Sequence, residues 1–320
     1  VICVISGKTK RRIKICKAKN LRRVVIFRSN RAQNQGDYMA GIFKAYDIRG
    51  TYPDQLDETT AFRVGYHFHD LLEEEDLARG PVVVVSRDMR SHSVPMARAL
   101  KDGLRARGVN VIDIGVADTP QNYFATGLLK ASGGIQVTAS HNPAVYNGLK
   151  MSRRDAIPVS WDTGIERLEQ LVTESTVSLD LEPKAGESTR DVFSQYVDHV
   201  LSLADGDGPR LKVAADAANG MGGIYGPIFD RLNVELVPIF FELDGTFPNH
   251  EANPLKAENL VDVERAVREH SCDLGVAFDG DADRAIIIDE LGNAISADML
   301  TALLAPRFLA NEPGAAIVYD

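Results

Sequence analysis

One apolar run, enclosed by chain breakers and then repeated, limits what this chain can fold into. Pro81-Val-Val-Val-Val85 lacks the polar alternation of a half-solvated strand and reads as a strand buried on both faces of a parallel sheet. A polar loop, Ser86–Ser93, separates it from a helical stretch with Val94, Ala97, Leu100 and Leu104 on one side. Gly108 ends that helix, and Val109–Ile114 returns as a second strand, completing a β-α-β unit. Upstream, Asp57 can cap a helix running to about Glu75, with Phe62, Tyr66 and Leu72 among its apolar positions. The pattern recurs as a strand at Leu211–Ala215, a glycine-rich turn at Asp216–Gly223, a helix at Ile224–Leu232 and a strand at Val234–Ile239. The closing residues Ala315–Asp320 read as the first strand of a third unit, left without neighbours. The expectation is an α/β chain of serial, related domains with mixed, mainly parallel sheets. Their bounds are read as 39–186 and 187–293, with 294–320 opening a third and the polar stretch Thr173–Thr189 as first connector.

Charge is distributed unevenly. Residues 1–38 hold 11 Lys/Arg and one acidic residue, Asp37, for a balance of +10, while the remainder carries −19; together these give the net −9. That basic stretch reads either as a nucleic-acid arm or as an extension foreign to the fold, with Met39 as the natural start. The second reading is preferred, so nucleic acid is not an expected partner. Cys3 and Cys16 fall in the same stretch and leave Cys272 alone in the body, which excludes a disulfide framework. No apolar run approaches the ~18 residues of a membrane helix, and the order of apolar and basic residues at the N-terminus is not that of a secretory signal. The expected location is the cytoplasm.

Two motifs carry chemistry. Thr138-Ala-Ser-His-Asn-Pro143 follows Gly133-Gly-Ile-Gln-Val137, read as a glycine turn leading into a strand, and continues to Asn147-Gly-Leu-Lys150. Ser140 is thereby expected on a loop past a strand end, where α/β sheets place ligands. A serine that exchanges a phosphoryl group needs neighbours that activate it and neutralise charge, and His141, Asn142 and Lys150 are at hand. A plain polar turn would account equally for Ser-His-Asn-Pro alone. The second motif, Asp279-Gly-Asp-Ala-Asp-Arg284, sets three carboxylates at alternate positions between two apolar strands. Such crowding calls for a counter-charge, and a hard divalent cation with oxygen ligands supplies one. An EF-hand loop is excluded because Arg284 stands where its glycine must be; a solvated acidic turn remains the alternative.

Three further features are weaker. Arg49, in Phe43-Lys-Ala-Tyr-Asp-Ile-Arg-Gly50, is a reasonable anion contact. Ser86-Arg-Asp-Met-Arg90 could meet an anion at a helix N-terminus or be an ordinary capped loop. Asn219-Gly-Met-Gly-Gly223 lacks the third glycine of a dinucleotide fingerprint, since Tyr225 occupies that position, and reads as a tight turn.

Taken in order, Phe43–Gly50, Thr138–Pro143 with Asn147–Lys150, and Asp279–Arg284 resemble the α-D-phosphohexomutase superfamily, in particular its bacterial phosphomannomutase/phosphoglucomutase branch, over roughly residues 41–320. The resemblance implies a phosphohexomutase that interconverts hexose 6-phosphate and hexose 1-phosphate, of mannose or glucose, through a phosphoserine and a 1,6-bisphosphate. It implies Ser140 as the phosphorylated serine, and Asp279, Asp281 and Asp283 as Mg²⁺ ligands completed by an oxygen on Ser140. Arg284 matches the arginine of the metal loop, Arg49 and Lys150 the basic groups beside the reacting hydroxyl, and His141 and Asn142 the flanking residues. The superfamily has four domains, and this sequence is expected to end inside the third, so that the chain by itself turns over poorly. A phosphoglucosamine mutase, or a fragment that binds Mg²⁺ and sugar phosphate without turnover, is the alternative. A monomer or homodimer is implied.

Overall fold

The computed structural model describes residues 27–28, 41–204 and 208–319. The chain falls into two bodies, residues 37–294 and the two ends, 1–36 with 295–320. In the second body a helix at Ala297–Asn311 leaves Met299, Leu303 and Phe308 exposed. Val318–Tyr319 pairs in parallel with Phe27–Arg28, so the terminal strand has the neighbour that the sequence reading denied it. Apart from that backbone pair, the basic stretch 1–38 lies outside the described residues.

The first body is built on two mixed sheets. The larger is formed by β1 (Ile48–Thr51), β2 (Val82–Arg87), β3 (Asn110–Val116), β4 (Gly133–Val137), β5 (Tyr146–Arg153) and β6 (Glu187–Thr189), in the order β1-β5-β4-β2-β3-β6, with a two-residue stub, Ile157–Pro158, against β5. The β4-β2-β3-β6 part is parallel, whereas β5 returns antiparallel to β4 and pairs antiparallel with β1. The smaller sheet contains β7 (Leu211–Asp216), β8 (Val234–Ile239), β9 (Leu274–Phe278) and β10 (Ala285–Ile288) in the order β8-β7-β9-β10. Its β8-β7-β9 core is parallel, and the aspartate motif is the turn of an antiparallel hairpin between β9 and β10.

Local chemistry explains the elements. The helix α1 (Glu58–Phe68) starts because the Asp57 carboxylate accepts the Thr60 amide, as the sequence suggests. It ends at Phe68 rather than near Glu75. A short 3-10 turn, His69–Leu71, intervenes, and extended Leu72 still buries its side chain in the core. The helix α2 (Ser93–Ala106) buries Met96, Ala97, Leu100 and Leu104, whereas Val94 points to solvent at 51% exposure. The apolar face thus starts one turn later than its spacing implied. Where α1 and α2 cross, Gly65 lies against the Leu100 backbone and Gly103 against the Phe62 backbone, so neither glycine has room for a side chain.

Two other readings change. Gly133 and Gly134 are not a turn but residues of the buried strand β4, without side chains because the Ser152 carbonyl, Thr126 and Asn122 fill that space. The end of the stretch read as connector, Glu187–Thr189, is the edge strand β6. The consequence for function is a common one for parallel sheets. The loops after β2, β3 and β4 of one sheet and after β9 of the other meet at one place.

Candidate active site

The loop between β4 and β5 carries Ser140 with no exposed surface and a left-handed backbone, φ +53°. Its amide is held by the Thr138 hydroxyl at 2.9 Å, and its Oγ donates to Oδ2 of Asp279 at 2.9 Å. Serine loop and aspartate loop, 139 positions apart, are therefore in direct contact. The approach is close because Gly280 has no side chain; the Ser140 carbonyl occupies the space a Cβ would need.

Each carboxylate of the aspartate loop has a different setting. Asp279 is buried, and its Oδ1 accepts the Arg284 amide at 3.1 Å. Asp281 is buried too. Its Oδ2 accepts the Lys150 ammonium at 2.5 Å and the Thr119 hydroxyl, while Oδ1 has no hydrogen-bond partner. Asp283 is open to solvent and takes the same ammonium at 2.5 Å. Burial, then the charges of Asp281 and Asp283, push the Asp279 carboxyl well above the usual carboxylate range. Burial likewise works against the charge on Asp281, but Lys150 outweighs it and holds that group ionised. For Lys150 the order is the same: desolvation opposes the charge, and the three carboxylates overcome it and raise its pKa.

This donor set fits a small hard dication. One oxygen from each of Asp279, Asp281 and Asp283 lies within 4.8 Å of the others, and the partnerless Oδ1 of Asp281 is a buried acceptor in need of a cation.

Around this centre the remaining expected residues assemble. His141 Nδ1 lies 3.3 Å from Ser140 Oγ and accepts from Arg284 Nη1 at 3.1 Å. Burial first, then Arg284 and Arg49, push its pKa down to about 4, so the imidazole is neutral near pH 7. Arg49 is on β1, tied by Nε to Asp47 at 2.7 Å and by Nη1 to the Asn142 side chain at 3.1 Å. The structure thus gathers Arg49, Ser140, His141, Asn142, Lys150, Asp279, Asp281, Asp283 and Arg284 in one place.

Sequence reading missed several residues here. Thr119 reaches Asp281 with both its amide and its hydroxyl, and its neighbour Asp118 caps the helix α3 (Thr119–Leu128). The available signal was position, since Asp118-Thr-Pro120 follows the end of a parallel strand. Arg90 was read as a possible anion contact; instead its side chain is buried and turned inward, onto the serine loop. In Asn219–Gly223, Gly220 lies against the Gly280 backbone, Gly222 against Phe278 and Gly223 against the Phe241 backbone, which suits the tight-turn reading.

Comparison with known proteins bears on this constellation. Residues 40–177 match the phosphoglucomutase/phosphomannomutase α/β/α domain I, and residues 194–292 match its domain II. The chain belongs to the phosphoglucomutase/phosphomannomutase family. A relative described as phosphohexose mutases from Xanthomonas campestris is 43% identical over 280 residues, covering 87% of this chain and 61% of that protein. A phosphomannomutase from Vibrio cholerae is 40% identical over 287 residues, with the same coverage of each. A crystal structure of a phosphoglucomutase/phosphomannomutase family protein from Burkholderia thailandensis is 37% identical and superposes with a TM-score of 0.75, covering 86% of this chain and 60% of that one. The chain thus spans about three fifths of the length of these family members. No described helix is long and apolar enough to cross a membrane.

Proposed function

We propose that the protein to which this chain belongs is a phosphohexomutase, interconverting hexose 6-phosphate and hexose 1-phosphate of mannose or glucose through a phosphoserine at Ser140 and a hexose 1,6-bisphosphate. The observation that carries the reading is the 2.9 Å contact between Ser140 Oγ and Asp279, inside a carboxylate cluster with a lysine and an arginine beside it. The family match and the phosphomannomutase relatives support it.

In this reading Asp279, Asp281 and Asp283, with an oxygen on Ser140, would hold Mg²⁺, which supplies electrostatic stabilisation of charge on the transferring phosphoryl group. The rest falls to the chain's own residues. In the forward transfer the bond from phosphorus to Ser140 Oγ breaks and one to a sugar hydroxyl oxygen forms; the hydroxyl proton leaves through the site and Oγ ends protonated. In the return transfer the bond from the other phosphorus to its sugar oxygen breaks and one to Oγ forms; Oγ gives up its proton and the sugar oxygen ends as a hydroxyl. Lys150, held charged between Asp281 and Asp283, suits charge stabilisation, as does Arg49, whose guanidinium is held in place by Asp47 and Asn142. The neutral His141 presents Nδ1 toward Oγ. Arg284, tethered to that nitrogen, adds positive charge at the rim.

The test is chemical. The chain, incubated with glucose 1,6-bisphosphate and Mg²⁺, should gain one phosphoryl group that peptide mass spectrometry assigns to Ser140, and Ser140→Ala should gain none. Equal modification of the Ala variant would refute the nucleophile. In parallel, Asp281→Asn should weaken Mg²⁺ binding by calorimetry by about tenfold or more; unchanged affinity would remove the metal site.

A further inference from the structure

Arg90 is a fully buried charge that touches no reacting atom, yet every N–H it possesses is committed. Nε donates to Asp88 Oδ2 at 3.1 Å. Nη1 donates to the carbonyls of Pro143 at 2.7 Å and Tyr146 at 3.1 Å, and Nη2 to those of Ser140 at 3.1 Å and Asn142 at 2.7 Å. Five donors meet five acceptors, and four of these are backbone oxygens of the serine loop and the first residue of β5. Asp88 completes the assembly from below. It accepts the Ser93 hydroxyl, the Arg90 amide and the Thr138 hydroxyl, and that hydroxyl in turn holds the Ser140 amide. From the other side the Phe247 ring lies 4.8 Å over the guanidinium, and Gly245 comes so near that a Cβ there would sit 2.6 Å from Arg90 Cα.

We propose that Arg90 is the positioning residue of the nucleophile: it draws four carbonyls inward and so stabilises the left-handed turn at Ser140 that delivers Oγ to Asp279. The physical reason is directional. A carbonyl buried without a partner is costly, so without the guanidinium this loop would rotate its carbonyls outward toward water. Turning the Ser140 peptide carries Oγ with it. Lysine cannot substitute, because one ammonium offers three donors from a point, whereas the planar fork spans four acceptors. The inference rests on the phosphoserine reading for its consequence in catalysis, but not for its structural content.

Two measurements on Arg90→Lys separate these. Hydrogen exchange of peptides spanning 138–147 should accelerate by about tenfold or more, with peptides of β2 and of the β9–β10 hairpin unchanged. Phosphorylation of Ser140 by glucose 1,6-bisphosphate should slow on the order of 100-fold with the same dependence on bisphosphate concentration, as misplacement of a reacting atom predicts. A general stabilising role would speed exchange across both sheets, and that outcome overturns the proposal. So does a variant with wild-type protection at 138–147, or one with a loosened loop and an undiminished transfer rate. Should Arg90→Lys not fold, Phe247→Leu keeps all five hydrogen bonds and removes the ring above them; a roughly threefold to tenfold effect in the same two readouts is expected, and none would refute the idea. If the unmodified chain takes no phosphoryl group at all, the phosphoserine reading fails for this chain, and exchange at 138–147 alone decides whether Arg90 shapes the loop.

Discussion

Asp118 offers a test of the electrostatics in the seam between the two sheets. It is fully buried at the head of α3, where Oδ1 accepts the Gln121 amide and Oδ2 lacks a hydrogen bond of good geometry. Burial, only partly offset by the Gln121 amide and the Tyr225 hydroxyl and reinforced by Asp281 and Asp283, pushes its pKa up from 3.8 to about 7. Between those two values the folded protein holds a proton that the unfolded chain has released. The favourable contribution is therefore complete below pH 3.8 and is lost as pH rises toward 7. The shift of 3.2, which is 7 less 3.8, corresponds to about 4 kcal/mol at 1.36 kcal/mol per unit. Asp118→Asn keeps the capping oxygen and cannot ionise. In urea denaturation with EDTA present, the variant should match the parent at low pH and exceed it by up to about 4 kcal/mol above pH 7, with most of the gap opening between about pH 4 and pH 7. A variant that is equally stable or weaker at about pH 8, or a gap that does not change with pH, would show that Asp118 is not a buried acid held from ionising.

Further outcomes follow from the same geometry. Gly103→Ala would be favoured by helix propensity by up to about 1 kcal/mol, but its methyl meets the Phe62 backbone, and overpacking of about 1–3 kcal/mol should win; a raised midpoint in thermal or urea unfolding would contradict the close α1–α2 crossing. Lys150→Met leaves Asp281 and Asp283 without their ammonium, so in EDTA it should lose about 3–5 kcal/mol. Millimolar Mg²⁺ should restore more of the variant's stability than it adds to the parent, because the dication then takes both carboxylates uncontested; an equal increment in the two proteins would count against a shared site.

Much of this was readable in the sequence because it is local. The strand at Val82–Arg87, the helix after it and the strand at Asn110–Val116 follow from side-chain periodicity and from Gly108, whose φ of +94° suits the stop. Val234–Ile239 is read to the residue. The serine loop and the aspartate loop were also legible as candidate loops, since unusual residues in short spacings mark them. What was hidden depends on partners distant in sequence. Gly133 and Gly134 look like a turn until Thr126, Asn122 and Ser152 arrive against them. Arg90 looks like an anion contact or part of a capped loop until the carbonyls of Ser140, Asn142, Pro143 and Tyr146 close around it. Thr119 is marked in the chain only by its place after a strand end, and only the docking of one sheet's loops on the other's gives it Asp281.

Position 280 carries no functional group, yet it belongs with the chemistry. Any methyl placed there would be forced into the peptide of the neighbouring serine, and the two loops would have to part. A change from glycine to alanine at that point should thus draw Ser140 away from the aspartates while leaving every side chain of the proposed site in the sequence. On the phosphoserine reading, this silent position should be as intolerant of change as the serine itself.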